Sequence, residues 1–180
     1  YSPSGRLPVT FYRSVDDLPP FTDYDMSGRT YRYFDGDVLY PFGYGLSYTS
    51  FAYDNIVLSD TTPAAGDSVT VSVDVTNTGD RPGDEVVQLY TSHPGTDNTP
   101  IRSHAGVRRV TLAPGETRSV SLTLDPRALS VVGPDGSRTV AAGPVDLWIG
   151  GGQPDMRAGL APTAGLRTSL EINGSVALPR

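Results

Sequence analysis

Three pairs of closely spaced carboxylates stand in the first part of the chain, Asp16/Asp17, Asp23/Asp25 and Asp35/Asp37. Two carboxyl groups flanking a bond can share the work of proton donor and nucleophile, the pattern by which an acetal link between sugars is cleaved. Each pair sits beside Pro or Gly in loop-like sequence, where Asp accepts hydrogen bonds from the backbone and shapes turns. They are read as turn formers, and no catalytic residue is assigned. A metal site needs three or four ligands; His93 and His104 are the only histidines, Cys is absent, and Asp35-Gly36-Asp37 falls short of a calcium loop. No metal and no cofactor are expected. Ser47 in Gly45-Leu46-Ser47-Tyr48 lacks the second glycine of a nucleophile elbow, and the glycines at 43, 45 and 150 to 152 do not make a dinucleotide fingerprint. Asn173-Gly174-Ser175 fits a glycosylation triplet, a motif too short to carry weight.

What remains is aromatic. Between Gly28 and Phe51 stand Tyr31, Tyr33, Phe34, Tyr40, Phe42, Tyr44 and Tyr48, with Arg29 and Arg32 among them, whereas after Tyr53 the only aromatic residues are Tyr90 and Trp148. Tyrosine combines a large apolar face with a polar tip, which suits a contact surface better than a dry core. Two uses fit these nine residues. They could form a platform on which sugar rings stack, or a strip packed between domains, since interfaces enrich Tyr, Phe and Arg as well. Interdomain packing is the preferred reading, with a substrate rim as its variant.

The elements that must position this strip are strands. Phe51 to Leu58 reads as a first strand, and Ser68 to Thr76 is the clearest, with Val69, Val71, Val73 and Val75 on one face and Thr70, Ser72 and Asp74 on a wet one. Glu85 to Ser92 follows. Gly106 to Leu112 and Arg118 to Leu124 flank Ala113-Pro114-Gly115-Glu116 and read as a hairpin. Asp125 to Leu129 fits a single helical turn capped by Asp125, and Val145 to Ile149 a strand with Val145, Leu147 and Ile149 inward. Leu166 to Ile172 could add an edge strand. Short strands at this spacing predict an all-β, two-sheet antiparallel sandwich, and without the immunoglobulin cysteine pair the fibronectin type III-like variant of the immunoglobulin-like fold is preferred. Leu7 to Tyr12 is the one strand-like run before the connector, with no evident partner. Thr22 to Gly45 shows no sustained period and reads as irregular, which makes the aromatic-rich segment an N-terminal extension of the sandwich.

Composition agrees. The 180 residues include no Lys, 20 Gly and 16 Pro, so exposed helix formers are scarce. A net charge of −6 argues against nucleic-acid binding, which needs a basic face. No apolar run approaches a membrane helix, so no membrane partner is expected. Absence of Cys rules out disulfides and thiolate chemistry and fits a secreted or a cytoplasmic home alike. Tyr1 to Arg6 has neither an initiator Met nor a signal-peptide core, and the chain reads as a piece of something longer.

Tyr31-Arg32-Tyr33-Phe34, Tyr40-Pro41-Phe42-Gly43-Tyr44-Gly45-Leu46-Ser47-Tyr48-Thr49 and Phe51 together resemble the segment entering the C-terminal fibronectin type III-like domain of family 3 glycoside hydrolases, the β-glucosidases and β-xylosidases. Upstream, Pro3 to Phe11 is similar to the last strand region of that family's α/β-sandwich domain. Downstream, Asn77-Thr78-Gly79, Gly83 to Tyr90, Pro114-Gly115-Glu116 and Gly143 to Gly150 resemble the module itself. The resemblance implies four parts: residues 1–25, the end of the α/β domain; 26–48, an interdomain connector; 49–152, the sandwich; and 153–180, a tail rich in Pro, Gly and Ala. It implies a non-catalytic module whose partners are the parent's other domains, in an enzyme that removes terminal β-linked glucose or xylose from oligosaccharide substrates with retention. The family's nucleophile and acid/base lie in earlier segments, and no motif here matches either. The competing expectation is an independent carbohydrate-binding or adhesive β-module.

Overall fold

The computed structural model describes residues 2–154 and 162–179. Alternation makes the central strand. In β4 (Val69–Asn77), Val69, Val71, Val73 and Val75 have no solvent exposure, the environment in which β-branched side chains favour a strand. On its other face Thr70, Ser72 and Thr76 meet Thr123, Ser121 and Thr117 of β7 (Thr117–Leu124), hydroxyl to hydroxyl at 3.4, 2.9 and 2.7 Å. β3 (Phe51–Leu58) flanks β4 on the other side, with a bulge where Asn55 takes φ 54° and donates to Asp74 Oδ2 at 2.9 Å. The order of this sheet is β3-β4-β7.

The facing sheet runs β11-β10-β5-β6, from β5 (Gly83–Ser92), β6 (Ser103–Leu112), β10 (Gly143–Gly150) and β11 (Gly165–Ile172). Val87 and Leu89 of β5, Leu112 of β6, Val145, Leu147 and Ile149 of β10 and Leu170 and Ile172 of β11 close on the valines of β4. All strand pairings within the two sheets are antiparallel, so the all-β sandwich predicted from the alternation is the fold the chain forms. The short run Leu166–Ile172 is a full partner of β10, in register from Gly143 opposite Ile172 to Gly150 opposite Gly165.

Two local expectations are corrected. Ala113-Pro114-Gly115-Glu116 is not a hairpin: β6 and β7 belong to different sheets, and the turn is an arch between them. Pro at the first central position, Gly115 at φ 73° and a Glu116 N–H to Ala113 carbonyl bond of 3.0 Å define a type II turn. Turns of that hand splay strands rather than continuing their twist. Leu7 to Tyr12 does find a partner within the chain: β1 (Phe11–Tyr12) pairs with β2 (Val38–Tyr40), a strand inside the stretch expected to be irregular. Between them lie a 3-10 turn (Val15–Asp17) and one α-helical turn, α1 (Thr30–Tyr33). Pairing across so many residues leaves no trace in a local pattern.

After β7, the Asp125 carboxylate accepts from the Ala128 N–H at 2.8 Å and the Asp125 carbonyl from Leu129 N–H at 3.2 Å, a single capped turn that seats Leu129 in the core. β8 (Val131–Val132), β9 (Arg138–Val140) and β12 (Val176–Leu178) form a small sheet, in the order β12-β9-β8. Among the described residues no helix is long and apolar enough to cross a membrane.

Asn77 fastens the arch to both sheets. Its Oδ1 accepts from Thr49 Oγ1 (2.6 Å) and Gly79 N–H (3.1 Å), its Nδ2 donates to the carbonyls of Arg81 (2.7 Å) and Leu112 (3.0 Å), and it is fully buried. Every side-chain donor and acceptor is filled. Asn77→Ala strands two carbonyls and an N–H, and a loss of about 2 to 4 kcal/mol in urea unfolding is expected; a loss under about 0.5 kcal/mol, the range of an ordinary surface change, contradicts the role assigned to it. On the outer face of β5 and β6, hydrogen bonds from Thr111 and then Arg109 hold the Asp84 carboxyl below its usual 3.8. A depressed folded-state value means stability that is present above the unfolded value and lost as pH falls through the folded one. Asp84→Asn is therefore expected to flatten the decline in urea midpoint between about pH 5 and about pH 2; an unchanged slope refutes this.

Candidate functional site

A strand in a two-layer sandwich ordinarily buries one face. In β5, Gln88 and Tyr90 point away from Val87 and Leu89, yet each is only 2% exposed. Their cover is the connector. The Gly43 carbonyl accepts from Gln88 Nε2 at 3.2 Å, and Gln88 Oε1 accepts from the Tyr90 hydroxyl at 2.6 Å, a relay running from the sheet to the strap above it. Gly43 itself donates to the Leu7 carbonyl (2.8 Å), and Leu7 donates to the Tyr44 carbonyl (2.9 Å). At φ 78°, with a Cβ that would stand 2.4 Å from Gln88 Oε1, position 43 admits only glycine. Burial, with Tyr31 close by, pushes the Tyr90 phenol far above its ordinary value, so it stays a hydrogen-bond donor.

Rings complete the seat. Tyr31 and Phe42 stack at 4.2 Å with 20° between planes, and both meet Tyr90 edge-on at 6.2 and 6.4 Å. His104 joins edge-on, 5.7 Å from Phe42 and 5.2 Å from Tyr90, its imidazole pKa lowered by burial. The Tyr31 hydroxyl accepts from the His104 backbone N–H at 3.2 Å, and the Tyr31 carbonyl from Arg102 Nη1 at 2.7 Å. Thr30, just before, holds φ 57°, a left-handed conformation costly for a β-branched residue, while its N–H donates to the Tyr12 hydroxyl at 2.6 Å.

A buried ion pair anchors the other end. Arg6 Nη2 lies 2.7 Å from Glu85 Oε1, the side chains 12% and 6% exposed, and Arg6 Nε donates to the Gly151 carbonyl at 3.1 Å. Glu85 also accepts from the Val86 N–H at 2.7 Å. Nearby, burial and then Glu85 raise the Tyr53 phenol well above its usual range.

The other side of the connector is bare. Phe11 packs edge-on against Tyr40 (6.2 Å) and Tyr12 edge-on against Phe34 (4.9 Å), while Tyr40 lies tilted against Tyr44 (5.4 Å). Phe21 is 96% exposed, Tyr24 92% and Tyr48 69%. The nine sequence candidates thus divide. Tyr31 and Phe42 face the sandwich; Tyr40 and Tyr48 are exposed; Tyr44 is half-buried and borders a cavity with Arg6, Glu85 and Gly151; Phe34 packs on Tyr12. Arg32 and Tyr33 line a separate cleft. Arg29 holds its own loop, donating to the carbonyls of Pro20 (3.2 Å), Asp23 (2.6 Å) and Asp25 (2.9 Å). The early carboxylates serve turns: Asp17 accepts from Ser14 N–H (2.9 Å), Asp23 from Asp25 N–H (2.9 Å), Asp25 from Ser27 N–H (2.6 Å), and Asp37 pairs with Arg13 at 2.8 Å. Among the described residues no group of His, Asp and Glu could hold a metal ion.

Sequence reasoning missed Arg6, Glu85, Gln88, Arg102 and His104. A signal for Gln88 was present: Gln88 and Tyr90 share one face of a strand whose other face is Val87 and Leu89, and Tyr90 is one of two aromatic residues after Tyr53.

Comparison with known proteins agrees with this geometry. Residues 85–153 match the fibronectin type III-like domain, and residues 1–48 match the glycosyl hydrolase family 3 C-terminal domain. Xylan 1,4-beta-xylosidase of Xylanibacter ruminicola is 43% identical over 129 residues, covering 72% of this chain and 15% of that protein. Periplasmic beta-glucosidase of Salmonella typhimurium is 42% identical over 142 residues, covering 72% and 19%. Beta-glucosidase 3B of Thermotoga neapolitana, solved in complex with alpha-D-glucose, superposes with a TM-score of 0.84 at 28% identity, covering 99% of this chain and 26% of that one. The chain thus spans between 15% and 19% of the length of these two curated relatives.

Two substitutions test the seat. Tyr90→Phe keeps the ring and leaves Gln88 Oε1 unpaired, and a loss of about 1 to 3 kcal/mol is expected. Gly43→Ala is expected to loosen the connector itself, so limited proteolysis between Arg13 and Tyr40 accelerates while amide protection in β4 persists. Cleavage at the wild-type rate in Gly43→Ala contradicts the role of the Gly43–Gln88 contact.

Proposed function

The chain is the C-terminal, fibronectin type III-like region of a glycoside hydrolase family 3 protein, and on that premise we propose that it is a non-catalytic structural module whose aromatic connector joins the sandwich to the remaining domains of its parent. The parent, on this reading, hydrolyses terminal β-linked glucose or xylose in oligosaccharides with retention of configuration. Retention needs two carboxyl groups about 5 to 5.5 Å apart across the scissile bond, and these come from the other domains. The names of the relatives, a xylan 1,4-beta-xylosidase and a beta-glucosidase, support the substrate class. The use of Asp17, Asp23 and Asp25 in turns supports the non-catalytic assignment.

One observation carries the interdomain role: the connector is two-sided. Of the 16 exposed large hydrophobic residues among those described, 11 lie between Val9 and Tyr48. A monomer rarely leaves so much apolar surface gathered in one segment unless something binds it. The inner rings fix the strap to the sandwich, and the outer ones are left for a partner. The second reading, a carbohydrate-binding module, is favoured by the exposed rings of Tyr40 and Tyr48, which could stack on a pyranose.

The purified chain is expected to release no nitrophenol from aryl β-glucosides or β-xylosides, and to give no heat with xylan or cello-oligosaccharides in calorimetry. Phe21→Ser with Tyr24→Ser is expected to lower the melting temperature of the parent enzyme by several degrees and to leave that of the 180-residue chain unchanged. Turnover by the chain alone overturns the non-catalytic assignment; saturable heat with neutral oligosaccharides, together with an unmoved parent melting temperature, favours the binding module instead.

A further inference from the structure

Between Arg13 and Arg29 the chain forms a loop that ties its own backbone. Ser14 N–H donates to Asp17 Oδ2 (2.9 Å) and Asp16 N–H to Ser14 Oγ (3.1 Å), which caps the 3-10 turn. Asp23 and Asp25 each accept from the N–H two residues on, and the Arg29 guanidinium gathers the carbonyls of Pro20, Asp23 and Asp25. The apolar side chains of the loop are left in solvent. Val15 is 81% exposed, Phe21 96% and Tyr24 92%, and Leu18 and Met26 are exposed as well. A loop whose backbone is already ordered loses little further freedom on binding, and large rings are the side chains that anchor interfaces.

Charge selects the partner. Residues 14–28 carry Asp16, Asp17, Asp23 and Asp25 and no Lys, Arg or His. Asp16, Asp23 and Asp25 are exposed, and the flanking Arg13 is engaged with Asp37 at 2.8 Å. A second copy of the chain, with a net charge of −6, would bring like charges to this contact, as would a nucleic acid or an anionic membrane. The complementary surface is an apolar recess with cations at its rim. The chain spans 15% and 19% of two curated relatives, so most of the parent lies outside it. We propose that the loop of residues 13–29 is a docking finger for another domain of the parent, Phe21 and Tyr24 entering an apolar recess whose Lys or Arg rim meets Asp23 and Asp25. This rests on the interdomain role proposed above and adds to it the chemistry of the partner surface.

Phe21 and Tyr24 are also chymotrypsin sites, so that protease reports whether the finger is covered. At low salt, cleavage at both is expected to be at least about tenfold slower in the parent enzyme than in the 180-residue chain, the difference shrinking as salt screens the rim. Asp23→Asn with Asp25→Asn keeps the side-chain oxygen that each turn uses, so the finger keeps its shape. In the parent this pair is expected to raise cleavage severalfold at low salt and to blunt its salt dependence, with rates taken relative to the same pair in the isolated chain. Equal cleavage in parent and isolated chain at every salt concentration overturns this proposal and the interdomain role together. Protection that neither salt nor the double substitution changes overturns the basic rim and leaves the interdomain role standing. Protection that disappears on dilution of the parent assigns the cover to a second copy and overturns the proposal as well.

Discussion

The rest of the molecule depends on the double-sided burial of β5. Its inner face, Val87 and Leu89, belongs to the sandwich core, as in any two-layer β domain. Its outer face is polar at Gln88 and phenolic at Tyr90, and both are excluded from water. Removing an amide and a hydroxyl from water is unfavourable unless each finds partners, and the partners are the Gly43 carbonyl, the more distant Gly151 carbonyl and the two side chains themselves. The connector is thus bound to one position on the sheet. A shift by one residue would place a Cβ where Gly43 now passes and break the shorter of the two bonds made by the Gln88 amide. Hydrophobic stacking of Tyr31 and Phe42 adds area to a contact that these polar groups make specific.

The Arg6–Glu85 pair acts similarly at the other end. Two charges this far from solvent gain little net stability from their attraction, because desolvation offsets most of it. What the pair adds is selectivity, since each charge is satisfied only in this arrangement: Arg6 by Glu85 and the Gly151 carbonyl, Glu85 by Arg6 and the Val86 N–H. The segment before β1 is held to the sandwich at both β5 and the end of β10. The connector therefore behaves as a part of the sandwich on its inner side, although nearly all of it lies outside regular structure.

Much of the sandwich was legible from the sequence because its information is local. Val69 to Val75 alternates with hydroxyl residues, so the strand, its buried face and its wet face follow from period alone. The same holds for Val145, Leu147 and Ile149, and for the Asp125 turn. The arch at Pro114-Gly115 was misread since a turn signature states that the chain reverses without stating which sheet receives the next strand; only the hand of the turn and the bonds from Asn77 decide that. The aromatic cluster was legible as a composition, and not as two faces. Irregular backbone has no period from which inward and outward residues could be assigned, so the separation of Phe42 from Tyr40 became visible only in three dimensions. Arg6 and Glu85, far apart in the chain, carried no signal at all.

The absence of lysine has a physical counterpart in the connector. A long irregular segment leaves carbonyls without the ladder partners that strands provide, and each one shielded from water needs a donor. Arg29 supplies three carbonyls of its own loop, Arg102 the carbonyl of Tyr31, and Arg6 those of Gly5 and Gly151. A guanidinium presents five N–H groups in a rigid plane and so ties several carbonyls at once, whereas an ammonium on a flexible stem loses more freedom per bond formed. Guanidinium forks thus do for this segment what backbone pairing does for the sandwich.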